Sequence, residues 1–370
     1  MNKYIRTIIT WFYFKIVNLK FLKSEKDTLI KEAVAKSNDD KVKIAFICDE
    51  MTWCDYSDYA SSIFVHSAIW KEQLEKFKPS ILFCESAWCG IDKYINCWRA
   101  KVYKDKRLAF ENRKEILKIL KYCKENNIKT VFWNKEDPTF FENEIYDFVS
   151  TALMFDFIFT TDADCIKKYQ ELGHKYVFLM TFGVNLDMFY SNKRKFNKHT
   201  VVFAGSWFGD QKQRCSELSK LLDYVIDIGL KLDIYDRKSE SKEKRFRFPK
   251  KYQQYIRPAI SYEHIASIIS DYEYAININT VKNSSTMFSR RVLQLVATGN
   301  IIISNSFYGI ENISDCIQII DNSQEDIIIF KGIERNIINH SCEVQIEQML
   351  KLVSENSNER GVLLENKNNL

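Results

Sequence analysis

Glycine is scarce in this chain, at ten residues in 370. Nowhere do the ten form GxGxxG or a Walker A loop, the glycine-rich turns that let a backbone close on phosphate. A dinucleotide oxidoreductase and a P-loop nucleotidase are therefore disfavoured. Zinc patterns are missing too. The ten cysteines include no CxxC pair and the five histidines no HExxH, so no metal site is expected. Single cysteines inside apolar runs, such as Cys48 and Cys84, read as reduced thiols of a cytoplasmic protein, acting as small hydrophobes. An excess of one charge is also lacking. Lys and Arg number 54 against 49 Asp and Glu, a net +5 with the signs interspersed, so no nucleic-acid surface is read. Nucleotide diphosphates or an anionic membrane surface remain compatible with that balance.

A long apolar run is absent as well. Residues 4–22 come nearest, but Arg6, Lys15 and Lys20 interrupt them, whereas a membrane span needs ~20 mostly apolar residues. No small-residue cleavage site marks a signal peptide. At helical spacing Ile5, Ile8, Ile9, Phe12, Ile16 and Leu19 share one face, with Lys3, Arg6, Thr7, Thr10 and Asn18 opposite. Such a helix suits the bilayer interface, or else packs on the protein's own core or on a second subunit. The expectation is a possible peripheral membrane contact through residues 1–23, at the inner face of the plasma membrane.

What is present is ample core material: 46% hydrophobic and 14% aromatic residues. Apolar runs alternate with helix-like stretches at βαβ spacing. Val42–Cys48, Ser80–Cys84, Thr130–Trp133, Phe155–Thr160 and Tyr176–Met180 read as strands. Ser62–Phe77, Arg107–Asn126 and Asp164–Leu172 read as helices between them. A polar, basic stretch over Asn185–His199 reads as a linker. A second series follows, with strands at Thr200–Ala204, Lys231–Tyr235, Tyr274–Ile278 and Asn300–Ser304. Its helices are Gln213–Ile228, Tyr262–Ser270 and Ser289–Ala297, and Glu343–Glu355 reads as a last one. The expected fold is α/β, two Rossmann-like domains. Residues 1–40 form the amphipathic segment and linker, 41–190 the first domain, 198–345 the second, and 346–370 a C-terminal helix and frayed tail.

Open parallel sheets bind ligands beyond the carboxyl ends of their strands. In the first series those positions hold Asp49, Glu85-Ser86 with Trp88, Glu136-Asp137-Pro138, and Thr161-Asp162. Carboxylates accept hydrogen bonds from sugar hydroxyls, and aromatic rings stack on the apolar face of a sugar. Asp162-Ala163-Asp164 has the look of a metal-binding DxD, but its place at a helix start favours N-capping. In the second series the strand ends carry Gly205-Ser206 with Lys212 and Arg214, then Asp236-Arg237. After Ile278 comes Asn283-Ser284-Ser285-Thr286-Met287-Phe288-Ser289-Arg290-Arg291. Hydroxyls and arginines at a helix start make a diphosphate cradle. The competing reading of Arg290 and Arg291 is a solvated helix face or a salt bridge.

Five motifs occur in order: Glu85-Ser86-Ala87-Trp88, Trp133-Asn134-Lys135-Glu136-Asp137-Pro138, Phe203-Ala204-Gly205-Ser206, Tyr235-Asp236-Arg237, and Ser285 through Val292. From about Glu85 to about Gly309 the chain resembles the CgeB-type glycosyltransferases, which are similar to the large retaining GT-B families (glycosyltransferase family 1/4-like). The resemblance implies GT-B architecture, two Rossmann-like domains facing across a cleft. It implies an acceptor in the first domain, a nucleotide diphosphate sugar in the second (a UDP-sugar first), and no obligatory metal. One departure stands out. Retaining members often carry two Glu separated by seven residues, the second five positions before a Gly; counted from Gly299, Thr286 and Gln294 occupy those places.

The resulting expectation is sugar transfer to a glycan or lipid-linked acceptor, as in bacterial surface-polysaccharide (capsule) synthesis. Donor residues are Gly205, Ser206, Arg214, Arg237, Ser285, Thr286, Arg290, Arg291 and, for the ribose, Gln294. Acceptor-side candidates are Glu136, Asp137, Glu85 and Asp49, with Glu136 the first choice of general base should the enzyme invert. The alternative is a non-catalytic nucleotide-sugar-binding partner of a glycan assembly complex, favoured by Gln294. A sugar-nucleotide epimerase has no special support, since the His and acidic residues it needs have no placement here.

Overall fold

The structure is a computed structural model. It describes residues 25–367 except 95, 191–195 and 325, together with Ile9, Phe12 and Ile16. Those three are helical and each more than half exposed. The rest of the expected amphipathic helix lies outside the described residues. Among the described residues no helix is long and apolar enough to cross a membrane. The chain forms two compact units, residues 1–181 with 345–370, and residues 182–344.

The first unit runs α1 (Lys26–Lys36), β1 (Lys43–Ile47), α2 (Glu50–Tyr56), β2 (Ser61–Phe64), α3 (Trp70–Phe77) and β3 (Ile81–Glu85). It continues with β4 (Lys104–Asp105), α4 (Lys114–Glu125), β5 (Lys129–Asn134), β6 (Tyr146–Asp147) and α5 (Val149–Ala152), then β7 (Phe157–Thr160), α6 (Ala163–Glu171) and β8 (Val177–Leu179). Six of these strands form one sheet in the order β2-β1-β3-β5-β7-β8, every pairing parallel. Their near-continuous apolar runs suit strands covered on both faces. Helix α4 buries Ile116, Ile119 and Cys123, spaced three and four apart, so they fall on one face.

Two expected helices are shorter than their pattern predicts. Ser62–Phe77 contains a strand first: all four residues of β2 are buried and pair with β1, and the helix begins only at Trp70. Arg107–Asn126 becomes helical only from Lys114. Before it, Asn112 holds an irregular loop, donating to the carbonyls of Ala100 (2.7 Å) and Tyr103 (2.6 Å) and accepting from the Asp105 N–H (3.1 Å). A side chain that satisfies backbone groups in this way competes with the helix.

The second unit contains α7 (Leu186–Phe189), β9 (Asn197–Gly205), α8 (Lys212–Asp227), β10 (Lys231–Asp236), β11 (Ile256–Arg257) and α9 (Tyr262–Ile269). Then come β12 (Tyr272–Asn277), α10 (Arg291–Thr298), β13 (Ile301–Asn305), β14 (Ile317–Gln324), β15 (Ile327–Gly332) and α11 (Cys342–Lys367). The sheet order is β11-β10-β9-β12-β13-β15-β14: five parallel strands, extended by an antiparallel hairpin absent from the sequence expectation. Its winding reverses between β9 and β12, the switch point of a Rossmann-like sheet. Both units are therefore α/β and Rossmann-like. Helix α11 returns the chain to the first unit from Gln345 on, where Gln345 Oε1 accepts from Tyr56 Oη at 2.6 Å.

Candidate functional site

In the first unit the carboxyl ends of β1, β3 and β5 carry the four acidic candidates, and those acids differ sharply in use. Asp49 follows β1, and its carboxylate accepts the backbone N–H groups of Trp88 (2.9 Å), Cys89 (2.8 Å) and Gly90 (2.7 Å). Glu85 ends β3 fully buried, bonded to the Asp49 N–H and the Thr52 hydroxyl and paired with Lys135 Nζ at 2.9 Å. Both carboxylates are thus committed to holding the β3 loop. A buried acid so fully partnered is a positioning group rather than a free base.

Asp137 is buried too, accepting from Asn134 Nδ2 (2.7 Å), Thr160 Oγ1 (2.7 Å) and Tyr169 Oη (3.2 Å). Burial pushes its pKa up to about 7 against the lowering pull of Thr160 and Tyr169. Asp162, as expected, caps α6 by accepting the Asp164 N–H at 2.8 Å.

Glu136 is different. It is only partly buried, and its carboxylate accepts from Trp88 Nε1 at 2.9 Å. Burial raises its pKa, opposed by Lys135 and Trp88 and reinforced by Asp49 and Glu85. A partly exposed carboxylate whose pKa is raised by burial can take a proton from a hydroxyl. The Trp88 ring stands within 5.2 Å of Phe140, Tyr146 and Phe148 and 5.3 Å of Tyr103, centroid to centroid. A cavity of about 420 Å³ opens beside the same loop, lined by Pro138, Thr139, Phe141, Glu142, Ile145 and Lys168 among others, and none of the four acidic candidates lines it.

The second unit collects its candidates around the switch point. Gly205 ends β9, where a Cβ would stand 2.6 Å from the Phe203 ring. Ser206 follows, 1% exposed, and its hydroxyl has no partner among the described residues. Its carbonyl accepts from Arg214 Nη1 at 3.1 Å, and the Arg214 guanidinium lies 5.1 Å from the Phe208 ring centroid. No described carboxylate pairs with Arg214. Burial first, then the neighbouring Arg237, lowers its pKa to about 10, so it stays charged at neutral pH. The Arg237 N–H donates to the Gly205 carbonyl at 3.1 Å, which joins the ends of β9 and β10. Two close guanidiniums, one of them desolvated and without a carboxylate, favour an anion.

The loop after β12 is held from within. Ser284 Oγ accepts the N–H groups of Thr286 (3.3 Å) and Met287 (2.9 Å), and Asn279 Oδ1 accepts that of Ser289 (2.7 Å). Beneath it, a Cβ on Gly309 would come 2.5 Å from the Met287 carbonyl oxygen, so only glycine lets the two segments meet. Ser285 is exposed and Thr286 partly exposed on this loop. Arg290 takes the N-cap position of α10, its guanidinium 4.9 Å from the Phe182 ring centroid, and Arg291 is the first residue of the helix. Gln294, expected at the ribose, lies one turn into α10, 1% exposed and donating to Tyr262 Oη at 2.5 Å. The sequence reading passed over Asn277, the last residue of β12, which is buried with its Oδ1 unpartnered. The signal was there: Asn277 and Asn279 alternate with isoleucines at period two, which places amides where a buried strand carries apolar side chains.

No family description and no curated protein matches the chain. Among solved structures it is similar to a UDP-GlcNAc 2-epimerase from Methanocaldococcus jannaschii, at 11% identity and a TM-score of 0.37, over 74% of this chain and 86% of that one. It is also similar to an alpha-glucosyltransferase in complex with UDP-glucose and DNA containing an abasic site, at 12% identity and a TM-score of 0.40, over 85% of this chain and 91% of that one.

Proposed function

We propose that this chain is a glycosyltransferase of GT-B type, similar to the CgeB group, whose second unit holds a nucleotide diphosphate sugar and whose first unit binds the acceptor. The observation that carries the reading is Arg214, a desolvated guanidinium without a carboxylate partner, beside Arg237 and the unpartnered Ser206 hydroxyl at a switch point. A diphosphate supplies the charge this site lacks. With Gly205, Ser285, Thr286, Arg290 and Arg291 it makes up the donor set of the proposal. In the transfer an acceptor hydroxyl oxygen bonds to the anomeric carbon while the bond from that carbon to the phosphate oxygen breaks. The leaving nucleotide diphosphate takes the electron pair, and the arginines stabilise its charge. The acceptor proton passes to Glu136. Residues 1–23 are proposed to bring the protein to a membrane carrying a lipid-linked acceptor.

The deciding experiment measures release of nucleotide diphosphate from a panel of sugar nucleotides, UDP-sugars first, with a glycan or lipid-linked acceptor present. Release that depends on both acceptor and Arg214 supports transfer. A second reading, a non-catalytic sugar-nucleotide-binding partner, is favoured by Gln294, a neutral residue held by Tyr262 where retaining relatives place a Glu. Tight binding without release under every acceptor would establish it.

A further inference from the structure

Strands β9 and β12 are neighbours at the switch point of the second unit, and each ends with one buried polar atom left over: Ser206 Oγ just past β9, and Asn277 Oδ1 at the end of β12. Which end of the Asn277 amide is left over follows from counting protons on Ser304, its register partner on β13. A serine hydroxyl has one proton and two lone pairs. Ser304 Oγ donates that proton to the Asn305 carbonyl at 3.0 Å. Its two lone pairs then accept from Asn277 Nδ2 at 3.0 Å and Asn279 Nδ2 at 3.2 Å. With no proton left to give, Ser304 obliges Asn277 to turn its nitrogen towards it, so the unsatisfied atom is the carbonyl oxygen. A buried acceptor of this kind is costly to leave unpaired.

We propose that Asn277 is a specificity residue whose carbonyl oxygen accepts a hydrogen bond from a hydroxyl in the sugar part of the ligand. The proposal rests on the nucleotide-sugar reading above and deepens it. A carbonyl oxygen presents partial negative charge, which a phosphate oxygen repels and a hydroxyl proton satisfies. The end of β12 therefore reads a hydroxyl, while the phosphates belong on the Arg214 and Arg237 side. Ser206, able both to donate and to accept, serves at the boundary between the two.

The test is titration calorimetry on the full chain, wild type against Asn277→Ala and Asn277→Asp, with each protein's melting transition recorded first without ligand. The probes are UDP, 2′-deoxy-UDP, 3′-deoxy-UDP, UDP-glucose and inorganic pyrophosphate, with GDP, ADP, CDP and dTDP added for the wild type. Asn277→Ala is expected to weaken the hydroxylated ligand about tenfold and to leave pyrophosphate unchanged, and the loss disappears for the ligand lacking the hydroxyl that is read. A loss abolished in one deoxy-UDP marks a ribose hydroxyl; a loss found with UDP-glucose and not with UDP marks the transferred sugar. Asn277→Asp keeps an acceptor oxygen in the same volume, so it retains the preference for the hydroxylated ligand, and it carries the test should the alanine variant not fold. Equal weakening of pyrophosphate and UDP, or a loss that survives removal of every hydroxyl, overturns the assignment. Wild-type protein that binds none of UDP, GDP, ADP, CDP and dTDP overturns the nucleotide-sugar reading itself, whereas normal binding with an indifferent Asn277 overturns only this inference.

Discussion

At the scale of single residues, the acids of the first unit separate by what already surrounds them. Asp137 has a folded pKa of about 7 set by burial, against roughly 3.9 for an unfolded aspartate. The fold therefore holds a proton that the unfolded chain releases, and stability falls as pH rises from about 4 to about 7. Asp137→Asn removes that titration. Its melting temperature is expected to change less than the wild type's between pH 5 and pH 8, and an equal slope in thermal denaturation would refute the assignment. Glu136→Gln is expected to lower transfer by roughly 10²–10⁴-fold while UDP affinity is unchanged, because the proposal puts the residue on the acceptor side. Arg214→Ala does the reverse kind of damage: UDP binding weakens about 10–100-fold, the worth of a charge-assisted hydrogen bond. Calorimetry on both variants separates the two roles.

At the scale of elements, the sequence was most readable where burial is total. Strands β1, β3, β5 and β7 are runs of apolar residues bounded by polar ones, and they stand close to where the pattern puts them. Strand β2 was hidden, because four residues followed closely by a helix carry too little periodicity to declare themselves. The β14–β15 hairpin was hidden for another reason. Most of β14 is solvent-exposed, and its identity comes from pairing with β15 rather than from its own pattern. In the candidate site, Ser206, Arg214 and Arg290 were legible as polar groups after strands. Asn277 was not, since its meaning depends on a proton count at Ser304, 27 residues away in sequence. The loop after β12 invites its own test. Gly309→Ala forces a Cβ against the Met287 carbonyl at 2.5 Å, so the loop must move. The expected result is destabilisation of about 1–3 kcal/mol together with weaker UDP binding, read by chemical denaturation and calorimetry on the same sample.

At the scale of the whole chain, the first unit is assembled from two separated stretches. Ile346, Met349 and Val353 recur at helical spacing along α11, are at most 3% exposed, and belong to the first unit. Truncation after residue 344 is expected to lower the first unit's melting temperature although its sheet sequence is untouched. An unchanged transition would show that this helix contributes no core. Deletion of residues 1–23 tests the remaining surface proposal: association with anionic vesicles, measured by flotation, should fall while nucleotide binding persists.

The second unit enters and leaves by one doorway. Val184 bridges Ser341 in parallel, the Val184 N–H donates to the His340 carbonyl at 3.0 Å, and the Cys342 N–H donates to the Val184 carbonyl at 2.9 Å. With its ends laced together and its own core of Val201, Phe203, Leu218, Leu222 and Ile303, residues 182–344 are an insert whose removal need not stretch the host chain. During synthesis this insert is complete before Gln345 exists, so it can close while the surrounding unit still lacks its last helix. The second unit is thus a portable cassette, and if it holds the donor as proposed, exchanging it whole at Val184 and Ser341 changes sugar specificity.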